Sequence, residues 1–145
     1  MFKNILVPTD GSELALKAVK QAIDYARNNG ARLHVISVAE PYPYTAMGDG
    51  VYVPDLQLYE KQMQDFATRH VTEAADLAAA AGVPCETIVT LSFSPHDEII
   101  KAASERGCDA IFIASHGRKG LSKLVLGSET QKVLAHTTLP VLVLR

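Results

Sequence analysis

The stretch from Ile111 to Ser128 holds the residues best suited to bind an anion. An apolar run ends at Ser115-His116-Gly117, a basic connection that begins with Arg118 follows, and Gly127-Ser128 opens a short helical segment. Glycine lets backbone amides come close to a ligand, and the first turn of a helix offers unpaired N–H groups with partial positive charge. Arg118, with Lys119 and Lys123 beyond it, adds formal positive charge to the same loop. The order of these residues favours a loop that holds phosphate.

A second turn of similar character lies near the amino end. Pro8-Thr9-Asp10-Gly11-Ser12 follows a short apolar segment and precedes a helical pattern. Asp10 has two interpretations: it contacts a ligand, or it forms a capping box with Glu13 at the start of the next helix. The residue types alone leave both open.

Several common chemistries lack their motifs. Neither Gly-x4-Gly-Lys-[Ser/Thr] after the first apolar segment nor Gly-x-Ser-x-Gly occurs, and the five histidines show no metal-ligand spacing. Cys85 and Cys108 are far apart and fit reduced thiols. We therefore expect no metal site and no catalytic residues, and at most slow hydrolysis of a bound phosphate compound, since Asp10 is the one carboxylate in a suitable place.

Composition restricts the partners and the compartment. A formal net charge of -2 without a clustered basic face argues against binding of nucleic acid. No apolar run approaches the roughly 20 residues that span a bilayer, and no signal peptide is recognisable at the start, so we expect a cytoplasmic protein without membrane contact. A length of 145 residues predicts one domain, 1–145.

Apolar periodicity alternates between strand and helix along the chain. Strands are predicted at Lys3–Val7, Arg32–Val38, Thr87–Leu91, Asp109–Ala114 and Pro140–Leu144, and helices from about Leu14 to Asn29, Asp55 to Ala81, Pro95 to Arg106, and from Ser128 onward. Capping boxes are predicted at Ser94–Asp97 and Ser128–Gln131, and Met63, Phe66 and His70 are assigned to the apolar stripe of the long helix. The alternation predicts an open parallel sheet with helices on both faces. Both glycine turns then leave carboxyl ends of strands, where such sheets bind ligands, and they meet in one crevice.

At this point the chain resembles the universal stress protein (UspA-like) family over its whole length. The resemblance rests on Pro8–Ser12, on Ser115-His116-Gly117, on Gly127-Ser128 nine residues later, and on the final strand Pro140–Leu144. It implies a Rossmann-like five-stranded sheet of order 3-2-1-4-5, binding of ATP, with or without Mg, and a homodimer formed through strand 141–144. The positions that the resemblance implies in the nucleotide site are Pro8, Thr9, Asp10, Val35, Ala114, His116, Gly117, Arg118, Gly127, Ser128 and Glu129.

Within that set the resemblance implies different roles. The Asp10 position meets the adenine side and Val35 lines the adenine pocket, whereas Gly117, Gly127 and Ser128 hold ribose and phosphates. The backbone amide of Glu129 adds a further donor. For His116 a second interpretation stays open, in which the side chain only packs within its own loop and contacts no ligand.

Two departures from the family pattern keep a second function open. Ala114 stands where the nucleotide-binding pattern Gly-x-x-Gly-x9-Gly-[Ser/Thr] has its first glycine, and Phe93 stands where the family often has glycine before Ser94-Pro95. The first hypothesis is a regulatory, largely non-catalytic protein that binds ATP or a related adenine nucleotide in the stress response. The alternative is a dimeric interaction protein of the same family without nucleotide.

Overall fold

The computed structural model describes residues 1–43, 55–118 and 125–145. The irregular stretch before the long helix and the basic residues Lys119 and Lys123 lie largely or wholly outside these ranges. The elements in chain order are β1 (Asn4–Pro8), α1 (Glu13–Asn29), β2 (Arg32–Ala39), α2 (Leu56–Ala80), β3 (Cys85–Leu91), α3 (Pro95–Glu105), β4 (Ala110–Ala114), α4 (Ser128–His136) and β5 (Val141–Leu144). The predicted strands and helices are confirmed, with ends that differ by one or two residues.

The five strands form one parallel sheet in the order β3-β2-β1-β4-β5. The order predicted from the family resemblance is therefore confirmed. β1 is central and pairs with both β2 and β4, with Ile5 beside Ala110 and Leu6 beside Ile111. The carboxyl ends of β1 and β4 consequently lie side by side, and the two glycine turns begin there.

Alternate residues of each strand face opposite layers of helices. Ile5 and Val7 lie in a buried cluster with residues of α1 and α2, whereas Leu6 lies in a second cluster with residues of α3 and α4. Complete burial of side chains of this size contributes about 1.5–3 kcal/mol each. This two-sided burial explains why the strands read as continuous apolar runs, and it confirms helices on both faces of the sheet.

The helix starts differ from the predicted caps. Ser12, not Asp10, caps α1, because its Oγ accepts a hydrogen bond from the Ala15 N–H at 3.2 Å. α4 begins after Gly127 with no side-chain cap, so the capping box predicted at Ser128 is wrong. At α3 the expected position is right but the contact is different: Ser94 Oγ donates to Asp97 Oδ2 at 2.6 Å instead of accepting from a backbone amide.

Helix α2 packs on the sheet through small residues. Its buried positions are Ala67, Val71, Ala74 and Ala78. The stripe predicted from spacing was too wide: Met63 is half-buried, and Phe66 is exposed with the Arg69 guanidinium 4.6 Å from its ring centre. Of the helices in the described ranges, none is long and apolar enough to cross a membrane.

Candidate functional site

The two glycine turns lie directly against each other. Asp10 Oδ2 accepts a hydrogen bond from the backbone N–H of Arg118 at 2.7 Å, and its Oδ1 accepts one from the Ser12 N–H at 3.0 Å. A Cβ atom on Gly117 would lie only 2.5 Å from Asp10 Oδ2. A larger residue at Gly117 would therefore displace the Asp10 carboxylate from this contact. The predicted meeting of the two turns is what the structure shows.

The end of β4 is fastened to the start of α4. Thr130 Oγ1 donates to the Ala114 carbonyl at 2.9 Å in a fully buried hydrogen bond, and the Gly127 N–H donates to the Ser115 carbonyl at 2.8 Å. A Cβ on Gly127 would lie 3.3 Å from both the Ser115 carbonyl oxygen and the Cα of His116. Gly127 thus permits a close approach between two backbone segments, whether or not a ligand is bound.

His116 joins the same two segments through its ring. Its Nδ1 lies 3.0 Å from Ser115 Oγ, and its Nε2 hydrogen-bonds the Val125 carbonyl. A carbonyl only accepts, so Nε2 carries the proton; in the neutral ring Nδ1 then accepts from the serine hydroxyl. The interpretation of His116 as a residue that packs its loop explains these contacts fully.

The first turn of α4 presents backbone amides without a side-chain cap. The first backbone hydrogen bond within the helix runs from the Gln131 N–H to the Gly127 carbonyl at 3.0 Å, so the amides of Ser128, Glu129 and Thr130 precede it. The Ser128 side chain is exposed. Among the described residues no side chain caps these amides, so this end of α4 combines two features that attract anions, backbone donors and the positive end of the helix dipole.

The carboxylate of Glu129 is directed to helix α3. Its Oε2 accepts a hydrogen bond from the His96 N–H at 3.0 Å and lies 3.3 Å from His96 Nδ1, while its Oε1 contacts Lys132 Nζ at 3.2 Å. The negative charge of Glu129 is therefore paired outside the crevice.

His70 is the residue of this region that sequence reasoning missed. It was assigned to the apolar stripe of α2, but it is half-buried beside both turns. Its Nε2 lies 3.1 Å from Arg118 Nη2, and a Cβ on Gly11 would lie 2.2 Å from the same Nε2. The pKa of His70 is lowered, first by burial and then by the Arg118 and Arg69 guanidinium groups, against the opposing charges of Asp10 and Glu73. The helical periodicity of the sequence cannot reveal this contact, because the contact depends on where α2 lies across the sheet.

The remaining predicted residues are more dispersed. Pro8 ends β1 opposite Ile36, and the N–H of buried Thr9 donates to the Ile36 carbonyl at 2.8 Å. Val35 is fully buried in the core on the α1 and α2 side of the sheet, next to Val7. The structure thus groups Asp10, Gly117 and Arg118, and separately Ala114, His116 and Gly127, while Val35 lies beneath the surface.

Two depressions elsewhere are lined by described residues. One of about 470 Å³ lies along α2 between Thr68 and Leu77, and one of about 280 Å³ lies at the amino ends of the strands, next to Lys3 and Arg32. Neither is lined by a residue of the two turns. Within the parts of the chain that are described, no group of three histidine, cysteine or carboxylate side chains is arranged to hold a metal ion.

Comparison with known proteins agrees with this architecture. A model of the universal stress protein family matches residues 1–145. The chain belongs to this family. It is 33% identical to universal stress protein YxiE of Bacillus subtilis, and the match covers 100% of both chains.

Two solved structures of the family carry nucleotides. A universal stress protein in complex with cAMP is 25% identical, with a TM-score of 0.72 over 99% of this chain and 97% of that one. A universal stress protein from Archaeoglobus fulgidus in complex with dAMP shares the fold, at 20% identity and a TM-score of 0.66 over 99% and 98%. Both ligands contain adenine and one phosphate.

Proposed function

We propose that this universal stress protein binds an adenine nucleotide, with ATP as the ligand implied by the family pattern, in a regulatory role without dedicated catalysis. The observation that supports the proposal most is the contact between the two turns, in which Asp10 accepts from the Arg118 N–H at 2.7 Å. That contact places the loop that follows β4 beside the turn that precedes α1. The uncapped first turn of α4 then offers donors for phosphate.

The two relatives with bound ligands support the choice of nucleotide. One is in complex with cAMP and the other with dAMP. Transferred to this chain, their shared chemistry is an adenine base and a phosphate. The phosphate would lie at Ser128 and Glu129, and Arg118 would add a charged donor. Ala114 stands where the family pattern has its first glycine, and its methyl group counts against a close approach of the ligand to β4.

Calorimetric titration of the full chain tests this function. ATP with and without Mg²⁺, AMP and cAMP are titrated into the wild type, with GTP as the control for the base. Gly127→Val is a poor probe, because a side chain there meets backbone atoms at 3.3 Å and would perturb folding. Ser128→Ala and Arg118→Gln are better, since both side chains are exposed.

We expect Ser128→Ala to weaken binding about threefold to tenfold, and Arg118→Gln by tenfold or more. Ser104→Ala, an exposed serine on α3, is the matched control and should bind as the wild type does. Absence of binding heat for every adenine nucleotide would reject the proposal.

A second candidate is the dimeric interaction protein that binds no nucleotide. The observation in its favour is the edge position of β5 together with Leu142, whose side chain is 44% exposed. An unpaired edge with exposed apolar residues can pair with its copy. Light scattering on the wild type and Leu142→Glu tests the dimer, with Leu58→Glu on α2 as an equally apolar, exposed control. A monomeric wild type at high concentration would reject pairing through 141–144.

A further inference from the structure

The contact between Arg118 and His70 restricts the protonation state of the histidine. Arg118 Nη2 lies 3.1 Å from His70 Nε2. A guanidinium has donors only and stays charged in proteins, so the imidazole nitrogen must accept. His70 is therefore neutral in this contact, with its proton on Nδ1. Protonated His70 would place two positive groups against each other.

Arg118 stands at the start of the connection between β4 and α4, and the first turn of α4 is the proposed phosphate site. The hydrogen bond from the Arg118 N–H to Asp10 fixes the main chain of this residue, and its side chain reaches helix α2 at His70. Gly11 allows this approach, because a Cβ there would lie 2.2–2.6 Å from the imidazole atoms. The guanidinium has five donor hydrogens and binds phosphate well, so an anionic ligand competes with His70 for it.

We propose that His70 and the phosphate of a bound nucleotide compete for Arg118, so that nucleotide binding releases the arginine from α2 and His70 takes up one proton from solvent. His70 is a positioning residue, since it acts on the ligand through Arg118. This inference rests on the proposed nucleotide binding and adds a proton linkage to it.

The charges around His70 fix the direction of the linkage. Burial is the largest cause that lowers the pKa of His70 in the free protein, and Arg118 is the next; Arg69 acts in the same direction, and Asp10 and Glu73 oppose it. When phosphate neutralises Arg118 and adds negative charge nearby, the pKa rises. Proton uptake therefore occurs at pH values between the lowered and the raised pKa, and affinity increases as the pH falls through that window.

The first experiment measures proton uptake directly. AMP binding to the full chain is followed calorimetrically at pH 6.5 in buffers with different ionisation enthalpies. The wild type should take up a substantial fraction of a proton, and His70→Gln should take up less. Glutamine keeps an acceptor for Arg118 and has no titration in this range. His136→Gln, an exposed histidine at the end of α4, is the matched control and should keep the wild-type uptake.

The affinity should show the same difference. Between pH 8 and pH 6 the ratio of wild-type to His70→Gln affinity should rise at least threefold. Titration of the nucleotide phosphate is common to both proteins and cancels in this ratio. Binding without any difference in uptake or in pH dependence would overturn the linkage and leave the proposed function intact. Absence of binding would overturn both.

A measurement without nucleotide tests the underlying contact. In NMR titrations of the free protein, Arg118→Met should raise the pKa of His70, because the neighbouring positive charge is removed. An unchanged pKa would show that Arg118 does not contact His70 in solution, and would overturn the inference. Thermal unfolding of each variant establishes that the comparison is between folded proteins.

Discussion

Asp10 and Arg118, 108 residues apart in sequence, are joined by a hydrogen bond of 2.7 Å from a backbone amide to a carboxylate. The contact is possible because Gly117 has no side chain to interrupt it. Charge-assisted bonds of this kind contribute about 1.5–3 kcal/mol when they are shielded from water and less when they are exposed, as here. Asp10 is therefore a structural residue of the crevice even before any ligand is considered.

Gly117→Ala should destabilise the protein by about 1–2 kcal/mol, because its Cβ would displace the Asp10 carboxylate from two backbone amides. In an Asp10→Ala background the same substitution should cost little. Urea denaturation of the four proteins of this double-mutant cycle provides the test. Additive costs would show that Asp10 and Gly117 are not in contact.

Gly11→Ala should destabilise more than Gly30→Ala. Both glycines have a positive φ, 76° and 63°, so both substitutions carry a backbone cost of about 1–2 kcal/mol. Only at Gly11 does the new Cβ meet a side chain, with the nearest His70 ring atom at 2.2 Å, whereas at Gly30 nothing described lies within 4 Å. The difference in unfolding free energy between the two variants measures the packing of His70. Equal losses of unfolding free energy in the two variants would show that the His70 ring does not pack against Gly11 in solution.

Thr130→Val should cost about 1–3 kcal/mol, because it leaves the buried carbonyl of Ala114 without its hydrogen bond. Thr72→Val, at an exposed position on α2, makes the same change of side chain and should be nearly neutral. Thermal unfolding distinguishes the two. A neutral Thr130→Val would mean that the end of β4 is not held by α4.

Stability should fall as the pH is lowered from 7 to 5, in part because of His34. Burial is the largest cause that lowers its pKa, Arg106 and Arg32 act in the same direction, and Glu86 opposes them. Its Nε2 contacts Asn4 Oδ1 at 2.7 Å, and its Nδ1 lies 3.4 Å from Glu86 Oε2 without a hydrogen bond. Because the unfolded chain binds the proton more readily, the stability that neutral His34 provides is present above its unfolded pKa and is lost below it.

If the unfolded chain binds one proton more than the folded chain, the free energy of unfolding changes by at most about 1.4 kcal/mol per pH unit. Denaturation at several pH values should give a smaller slope for His34→Gln than for the wild type. Equal slopes would show that His34 titrates alike in both states.

The sequence alone was sufficient to predict the strands of the sheet, but it was insufficient to predict which residues cap the helices. Runs such as Ile5–Val7 and Ile111–Ile113 are buried on both faces, so their continuous apolar character and short length indicate strands. Helix starts are decided by one residue's backbone angles. Ser12 is extended and caps α1, while Asp10 two residues earlier binds Arg118, and the motif Asp10–Glu13 contains no signal that separates these outcomes.

The meeting of the two turns was predicted from the sequence, but the contacts within it were not. Glycine spacing indicated that Gly117 and Gly127 allow close approach, but the atoms approached are Asp10 and the backbone of Ser115 and His116. Val35 is buried within the core. Contacts of this kind depend on the relative positions of distant elements, which periodicity does not encode.

The pairing of Glu129 with α3 has a consequence for ligand choice. A carboxylate one residue into α4 would ordinarily repel any phosphate arriving at that helix end, but here the first turn of α3 and Lys132 already neutralise it. The hydrogen bond from the His96 backbone N–H survives substitution of that side chain, whereas Lys132→Gln would remove the cation paired with Glu129 and make the helix end less favourable for anions. The anion preference proposed for this helix end can thus be changed one turn further along α4, without altering a group proposed to touch the ligand.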